Sequence, residues 1–205
     1  MNALKNKNVL VTGGAGFIGS HLVDRIIAED PKHVHVVDNF FLGKEENLDD
    51  AIAVRPDLEI FRLDASDLAA MRDLVEEEQI DVVFNLAVIP LPTSLKYPVW
   101  TVNVNIGIAL TFCELARTHS IETLIHSSSS EAYGSAVSIP MHENHPLEPK
   151  PPTPARRLPA EERVLSNVRP FATDAPGVRP EEHPPDLHPP NRIPYAVSCW
   201  KKKTQ

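Results

Sequence analysis

An α/β chain with a doubly wound parallel sheet and a Pro-rich C-terminal tail is the fold class this sequence predicts. Three observations predict it. Short apolar runs alternate with longer segments of helical periodicity up to about residue 127, the order that builds a parallel sheet with helices on both faces. The first apolar run is followed at once by glycines at positions 13, 14, 16 and 19. Fourteen of the 20 prolines lie from Pro146 onward, but only one of the 8 glycines, Gly177. That composition cannot build helix or central strand and is expected to stay extended and disordered. The predicted division is a nucleotide-binding domain over residues 1–150 and a divergent tail over 151–205.

The elements follow in chain order. Residues 8–12 are a first strand, and 17–29 a helix stopped by Pro31. Residues 33–37 are a second strand, and 39–57 hold a short polar helix ending near Pro56. Leu58 to Leu63 alternates apolar and charged side chains, the period of a strand. Asp67 can cap a helix over Leu68–Gln79, whose Leu68, Met71, Leu74 and Val75 share one face. Asp81–Leu86 is apolar almost throughout, as a strand buried on both faces must be. A long helix over 101–118 and a strand over 121–127 complete the pattern.

The glycines carry chemistry. Strand, glycine turn and helix form the plan of a Rossmann-type cradle for a dinucleotide. Gly13 permits the tight exit from the strand, Gly16 lets backbone approach a pyrophosphate, and Gly19 lets the helix pack close. The N–H groups opening the helix then face the phosphates. The spacing is G-x-x-G-x-x-G, one residue different from G-x-G-x-x-G. Asp38 ends the second apolar run 19 residues after Gly19, close to the interval of about 20 at which an acid holds the adenosine ribose. A carboxylate there accepts ribose hydroxyls and repels a 2′-phosphate, so NAD is expected over NADP. In a doubly wound sheet the ligand lies beyond the carboxyl ends of the strands. Gly13–Gly19, Asp38–Gly43, Asp64-Ala65, Leu86–Pro90 and Ser127–Tyr133 are therefore the candidate site segments.

Composition narrows the partners. A net charge of −8 argues against nucleic acid and anionic membrane surfaces. Lys201-Lys202-Lys203 is the sole basic cluster and reads as a solvated end. Cys113 and Cys199 have no metal-ligand spacing and imply no disulfide framework. His183 and His188 in the tail are expected to be solvated rather than metal-bound. No secretory segment opens the chain and no apolar run approaches membrane-spanning length, so the cytoplasm is the expected location.

TGGAGFIGSHL, Asp38-Asn39, Asp64-Ala65, NLAV at 85–88, Asn105 and SSSSEAYG at 127–134 together resemble the NAD-dependent epimerase/dehydratase family. These are extended short-chain dehydrogenases, many acting on nucleotide-linked sugars. The resemblance spans about residues 6–150, with IPMHENHPLEP at 139–149 similar to the family's loop before its active-site helix. It implies that Phe17 and Ile18 lie over the pyrophosphate and that Asp38 and Asn39 hold the adenosine ribose. Asp64 and Ala65 would flank the adenine, and Leu86, Ala87 and Val88 would line the cofactor wall. Asn105 would contact the cofactor, and Ser129 would be the catalytic hydroxyl bonding the substrate oxygen. The implied reaction is reversible oxidation of a sugar hydroxyl by bound NAD. The implied assembly is a homodimer through the long helix.

The family's Tyr-x-x-x-Lys pair is where this sequence departs. Aligned on Ala160-Glu161-Glu162, the tyrosine position holds Thr153 and the lysine position Arg157. An aliphatic hydroxyl is far too weak an acid to replace a phenol, and arginine does not reproduce an ammonium's geometry. Pro154 and Pro159 disturb the helix the pair needs. Tyr195-Ala196-Val197-Ser198 resembles the motif, but Cys199 stands at its lysine position, some 40 residues late. The expectation is a family member truncated or frame-altered after about residue 150, its substrate lobe missing and its catalytic pair lost. The alternative is a non-catalytic module that binds NAD or a partner, and a further alternative is an enzyme working through Tyr195.

Overall fold

The computed structural model describes residues 3–118, 120–129, 133–142 and 145–146, and the backbone of 197–201. Six strands form one sheet in the order β3-β2-β1-β4-β5-β6. They are β1 (Asn8–Thr12), β2 (His33–Val37), β3 (Glu59–Phe61), β4 (Val82–Asn85), β5 (Thr123–Ser127) and β6 (Val197–Lys201). The first five run parallel. The helices are α1 (Phe17–Ile27), α2 (Asp49–Val54), α3 (Leu68–Glu77), α4 (Leu91–Lys96) and α5 (Pro98–Arg117), with a 3-10 turn at Glu45–Leu48 before α2. The predicted doubly wound parallel sheet is the architecture found.

Alternation along β1 sorts its side chains to two cores. Val9 and Val11 pack with Val34, Val36 and Val82 against Val23 and Ile26 of α1 and Ala51 of α2. Leu10 packs with Val37, Val83 and Leu124 against Met71, Leu74 and Val75 of α3 and Ile108, Phe112 and Leu115 of α5. All five β1 residues are buried, the mark of a strand covered on both faces. Burial of these aliphatic side chains is the main stabilising term, about 1.5–3 kcal/mol for each large one.

Several boundaries move for local reasons. α1 ends at Ile27 rather than 29, because Asp30 turns left-handed (φ 55°) just before Pro31. Asp67 caps α3 as expected, accepting from the N–H groups of Ala69 and Ala70 at 3.0 and 3.1 Å. α5 starts three residues early, with Pro98 in its first turn, where a missing N–H is harmless. α4 escaped the sequence reading, since Leu91–Lys96 is one short helical piece containing Pro92.

Two expectations need amendment. By length and composition α5 is apolar enough to cross a membrane, and half of that stretch is buried inside the fold. An apolar run of membrane-spanning length and composition is therefore present, contrary to the sequence reading; here its buried face packs on α3 and the sheet. In the tail, 197–201 forms β6, antiparallel to β5 with His126 opposite Ser198. The rest of 151–205, including the expected disorder and positions Thr153, Arg157 and Tyr195, lies outside the described residues.

Candidate functional site

The strand order reverses between β1 and β4, and the carboxyl ends of the strands border a cavity of about 650 Å³. All fourteen residues singled out from the sequence line it: Gly13, Gly16, Phe17, Ile18, Gly19, Asp38, Asn39, Asp64, Ala65, Leu86, Ala87, Val88, Asn105 and Ser129. They come from the turn after β1, the loops after β2, β3, β4 and β5, and helix α5.

The glycines divide the work. Gly13 has φ +68°, and a Cβ on it would lie 2.9 Å from the Ala87 nitrogen. Both the left-handed backbone and the contact with the β4 loop exclude a side chain there. A Cβ on Gly19 would meet the Gly13 oxygen at 2.0 Å, so the start of α1 packs directly on the turn. Gly14, to which no role was assigned from sequence, has its Cβ position 2.8 Å from Val36 and seats the turn on β2. Around Gly16 the nearest atom to a Cβ is the Gly13 oxygen at 3.1 Å. The space kept free at Gly16 belongs to the cavity it lines. α1 has no side-chain cap and no acidic residue in its first turn, which leaves its positive end available to an anion.

Asp38 is 8% exposed and ties two loops together. Its Oδ2 accepts the Ala15 N–H at 3.0 Å, and its Oδ1 accepts the Phe40 N–H at 2.8 Å. The Ala15 carbonyl accepts in turn from Lys44 N at 3.1 Å and Asn47 Nδ2 at 2.7 Å. Phe40 sits at φ +57°, a costly conformation for an aromatic residue. The bond to Asp38 and the Arg62 guanidinium 4.4 Å from the Phe40 ring hold it there. Asn39 accepts from Phe41 N at 3.0 Å. Asp64 accepts from the Ser66 N–H at 2.8 Å and hydroxyl at 2.7 Å, which orients its carboxylate at the cavity wall.

Asn105 contributes mainly by positioning. Its Oδ1 accepts the Ile89 N–H at 2.7 Å and its Nδ2 donates to the Ile89 carbonyl at 3.1 Å. One buried amide on α5 thus clamps the loop that carries Leu86, Ala87 and Val88. Tyr133 is buried and packs edge-on against His145, ring centroids 5.9 Å apart.

A buried polar chain beneath the cavity escaped the sequence reading. Thr12 Oγ1 donates to Asn85 Oδ1 at 2.6 Å, and Asn85 Nδ2 lies 2.8 Å from His126 Nδ1. These residues are register partners on β1, β4 and β5. His126, with Ser127 and Ser128, also lines the cavity. The available signal was a polar residue ending β1 and β4 and one position before the end of β5. Phe41 and Leu42 join the lining from the β2 loop, and the Phe41 ring packs tilted at 59° against Trp100, centroids 5.6 Å apart.

A glycine turn opening an uncapped helix, with an acid at the end of the next strand and all of it at the switch point, defines a dinucleotide-binding domain. Comparison places it more narrowly. The family model for the NAD dependent epimerase/dehydratase family matches residues 9–197, and the chain belongs to that family. The match runs past residue 150, where the sequence resemblance stops, and takes in Tyr195. A putative UDP-glucose 4-epimerase of Methanocaldococcus jannaschii is 33% identical over 161 residues, 76% of this chain and 49% of that protein. UDP-glucuronic acid decarboxylase 6 of Arabidopsis thaliana is 36% identical over 141 residues, 68% of this chain and 38% of that one. A solved Thermus thermophilus UDP-glucose 4-epimerase, in complex with NAD, superposes with a TM-score of 0.65 at 32% identity, covering 78% of this chain and 50% of the other. The chain thus spans half or less of the length of these relatives. NAD is the cofactor of the family, and the space at Gly16, the bare start of α1 and the acid at Asp38 fit a dinucleotide.

Proposed function

We propose that this chain is the NAD-holding half of a nucleotide-sugar epimerase/dehydratase and does not turn over sugar nucleotide by itself. The observation that carries the cofactor reading is the convergence of the fourteen residues from separate segments on one cavity at the switch point. In it the first turn of α1 would hold the pyrophosphate, with Phe17 and Ile18 beside it. Asp38 and Asn39 hold the adenosine ribose, and Asp64 and Ala65 flank the adenine. Leu86, Ala87 and Val88 form the opposite wall, held by Asn105 through Ile89. Ser129 would donate a hydrogen bond to a substrate oxygen. NAD supplies the hydride acceptor; the proton would have to leave to a base such as the family's tyrosine, whose position here holds Thr153. The supporting argument for inactivity is chemical, the loss of phenol and ammonium at Thr153 and Arg157.

Calorimetric titration with NAD tests the first half: binding at micromolar to submillimolar cofactor is expected, and silence at millimolar NAD ends the proposal. A second reading, residual activity through Tyr195, is favoured by the reach of the family match to residue 197. UDP-sugar turnover that disappears in Tyr195→Phe would establish it in place of the inactive reading. A partner-binding module without catalysis is the remaining reading, favoured by the exposed Val99, Trp100 and Leu110 of α5. A homodimer through that helix is the assembly we expect, in the cytoplasm, and sedimentation would report it.

A further inference from the structure

Away from the cofactor cavity, His35, Glu59 and Glu78 converge from three elements. His35 is the middle residue of β2, Glu59 is its register partner at the start of β3, and Glu78 follows the last turn of α3. One ligand atom from each lies within 4.8 Å of the other two. His35 is 2% exposed, and among the described residues neither ring nitrogen has a hydrogen-bond partner. The Glu59 oxygen stands 3.0 Å from Nδ1 but outside hydrogen-bond geometry. A buried imidazole of this kind leaves at least one polar atom unsatisfied, which costs free energy unless something fills the gap. Glu59 is exposed and Glu78 partly so, which gives an ion a route in from solvent.

We propose that these three side chains bind a divalent transition metal of the zinc class, through one imidazole nitrogen and one oxygen of each carboxylate. The donor set has the chemistry: imidazole and carboxylate are borderline and hard donors that zinc accepts together, with water in a fourth position. Tetrahedral zinc bonds of about 2.0–2.2 Å place ligand atoms roughly 3.3 Å apart. The ligand atoms here lie within 4.8 Å of one another, so binding requires the exposed Glu59 and half-buried Glu78 side chains to draw in toward His35. The ion would tie the edge strand β3 to β2 and to the end of α3. Its role is structural, since none of the three residues lines the cofactor cavity.

The test uses the full chain, stripped with chelator and titrated with zinc chloride by calorimetry and thermal melting. Wild type is expected to bind one zinc per chain at micromolar concentration and to melt several degrees higher with about 100 µM zinc. Glu59→Gln and Glu78→Gln, both at the surface and expected to fold, should each weaken binding at least about tenfold and lose the thermal shift. His35→Phe should do the same if it folds. Zinc affinity unchanged in Glu59→Gln/Glu78→Gln would place the ion elsewhere, for instance on His183 and His188, and overturn the proposal. Absence of any binding to wild type at about 100 µM zinc would overturn it equally.

Discussion

The carboxylate of Asp38 accepts the backbone N–H of Ala15 at 3.0 Å, across 23 residues of sequence. The acid expected to hold a ribose therefore also holds the glycine turn in place. Asp38→Ala should lose both functions. The buried Ala15 N–H and the half-buried Phe40 N–H would lose their partner, at about 1–3 kcal/mol for the buried donor and less for the other. NAD affinity in titration calorimetry should fall at least about tenfold, a loss of about 1.4 kcal/mol. Wild type should bind NADP more weakly than NAD, because the 2′-phosphate would face this carboxylate.

Gly16 and Gly19 should separate binding from folding. Gly19→Ala drives a Cβ into the Gly13 oxygen, 2.0 Å away. Overpacking against backbone should destabilise by about 3 kcal/mol or more, seen as a lower urea midpoint. Gly16→Val puts its Cβ 3.1 Å from the Gly13 oxygen, a tight contact from which the turn must give by a few tenths of an ångström, while its backbone (φ −76°) suits any residue. It should melt closer to wild type than Gly19→Ala does and lose NAD binding. A Gly16→Val protein that binds NAD normally would remove the pyrophosphate from this turn.

Stability should fall on mild acidification through His35. Burial lowers its pKa, more than the facing Glu59 and Glu78 carboxylates raise it, and neighbouring His33 lowers it further. The native state thus takes up its proton at lower pH than the unfolded chain, whose histidines titrate near about 6.5. Its contribution is complete above that pH and is lost as pH falls through the native value. Urea midpoints in chelator at pH 7.5 and 5.5 measure the loss, and His35→Phe should show less of it.

Cys113 should be inert while the chain is folded. Desolvation in the α5 core pushes its thiol up to about 11, and only the thiolate reacts. At pH 8 a thiol reagent should leave the Cys113 peptide unmodified in mass spectrometry, and urea should release it. Rapid labelling of Cys113 in native protein would show that α5 opens far more readily than its burial implies.

The sheet and the cavity were legible because both depend on local patterns. Val9-Leu10-Val11 and Val82-Val83-Phe84 can be buried on two faces only in a covered parallel sheet. Glycines at 13, 16 and 19 are intelligible only where backbone must crowd. Once the strands are parallel, their carboxyl ends share one edge, so the residues following them meet. α4 was illegible because one turn of helix containing Pro92 has no periodicity to detect.

The sequence by itself determined the fold class, the cradle and the family resemblance, since each is written in residues close along the chain or in a repeating period. Only the tertiary structure decided what those residues touch. It turned Asp38 toward Ala15, pointed the Asn105 amide at Ile89, and joined Thr12, Asn85 and His126 across three strands. It also left His35 buried beside two glutamates, its ring nitrogens without a hydrogen-bond partner among the described residues. Such pairings join residues up to 73 positions apart, and hydrogen bonds act only over about 3 Å. Strand register and helix packing, which no local pattern records, settle which groups come that close.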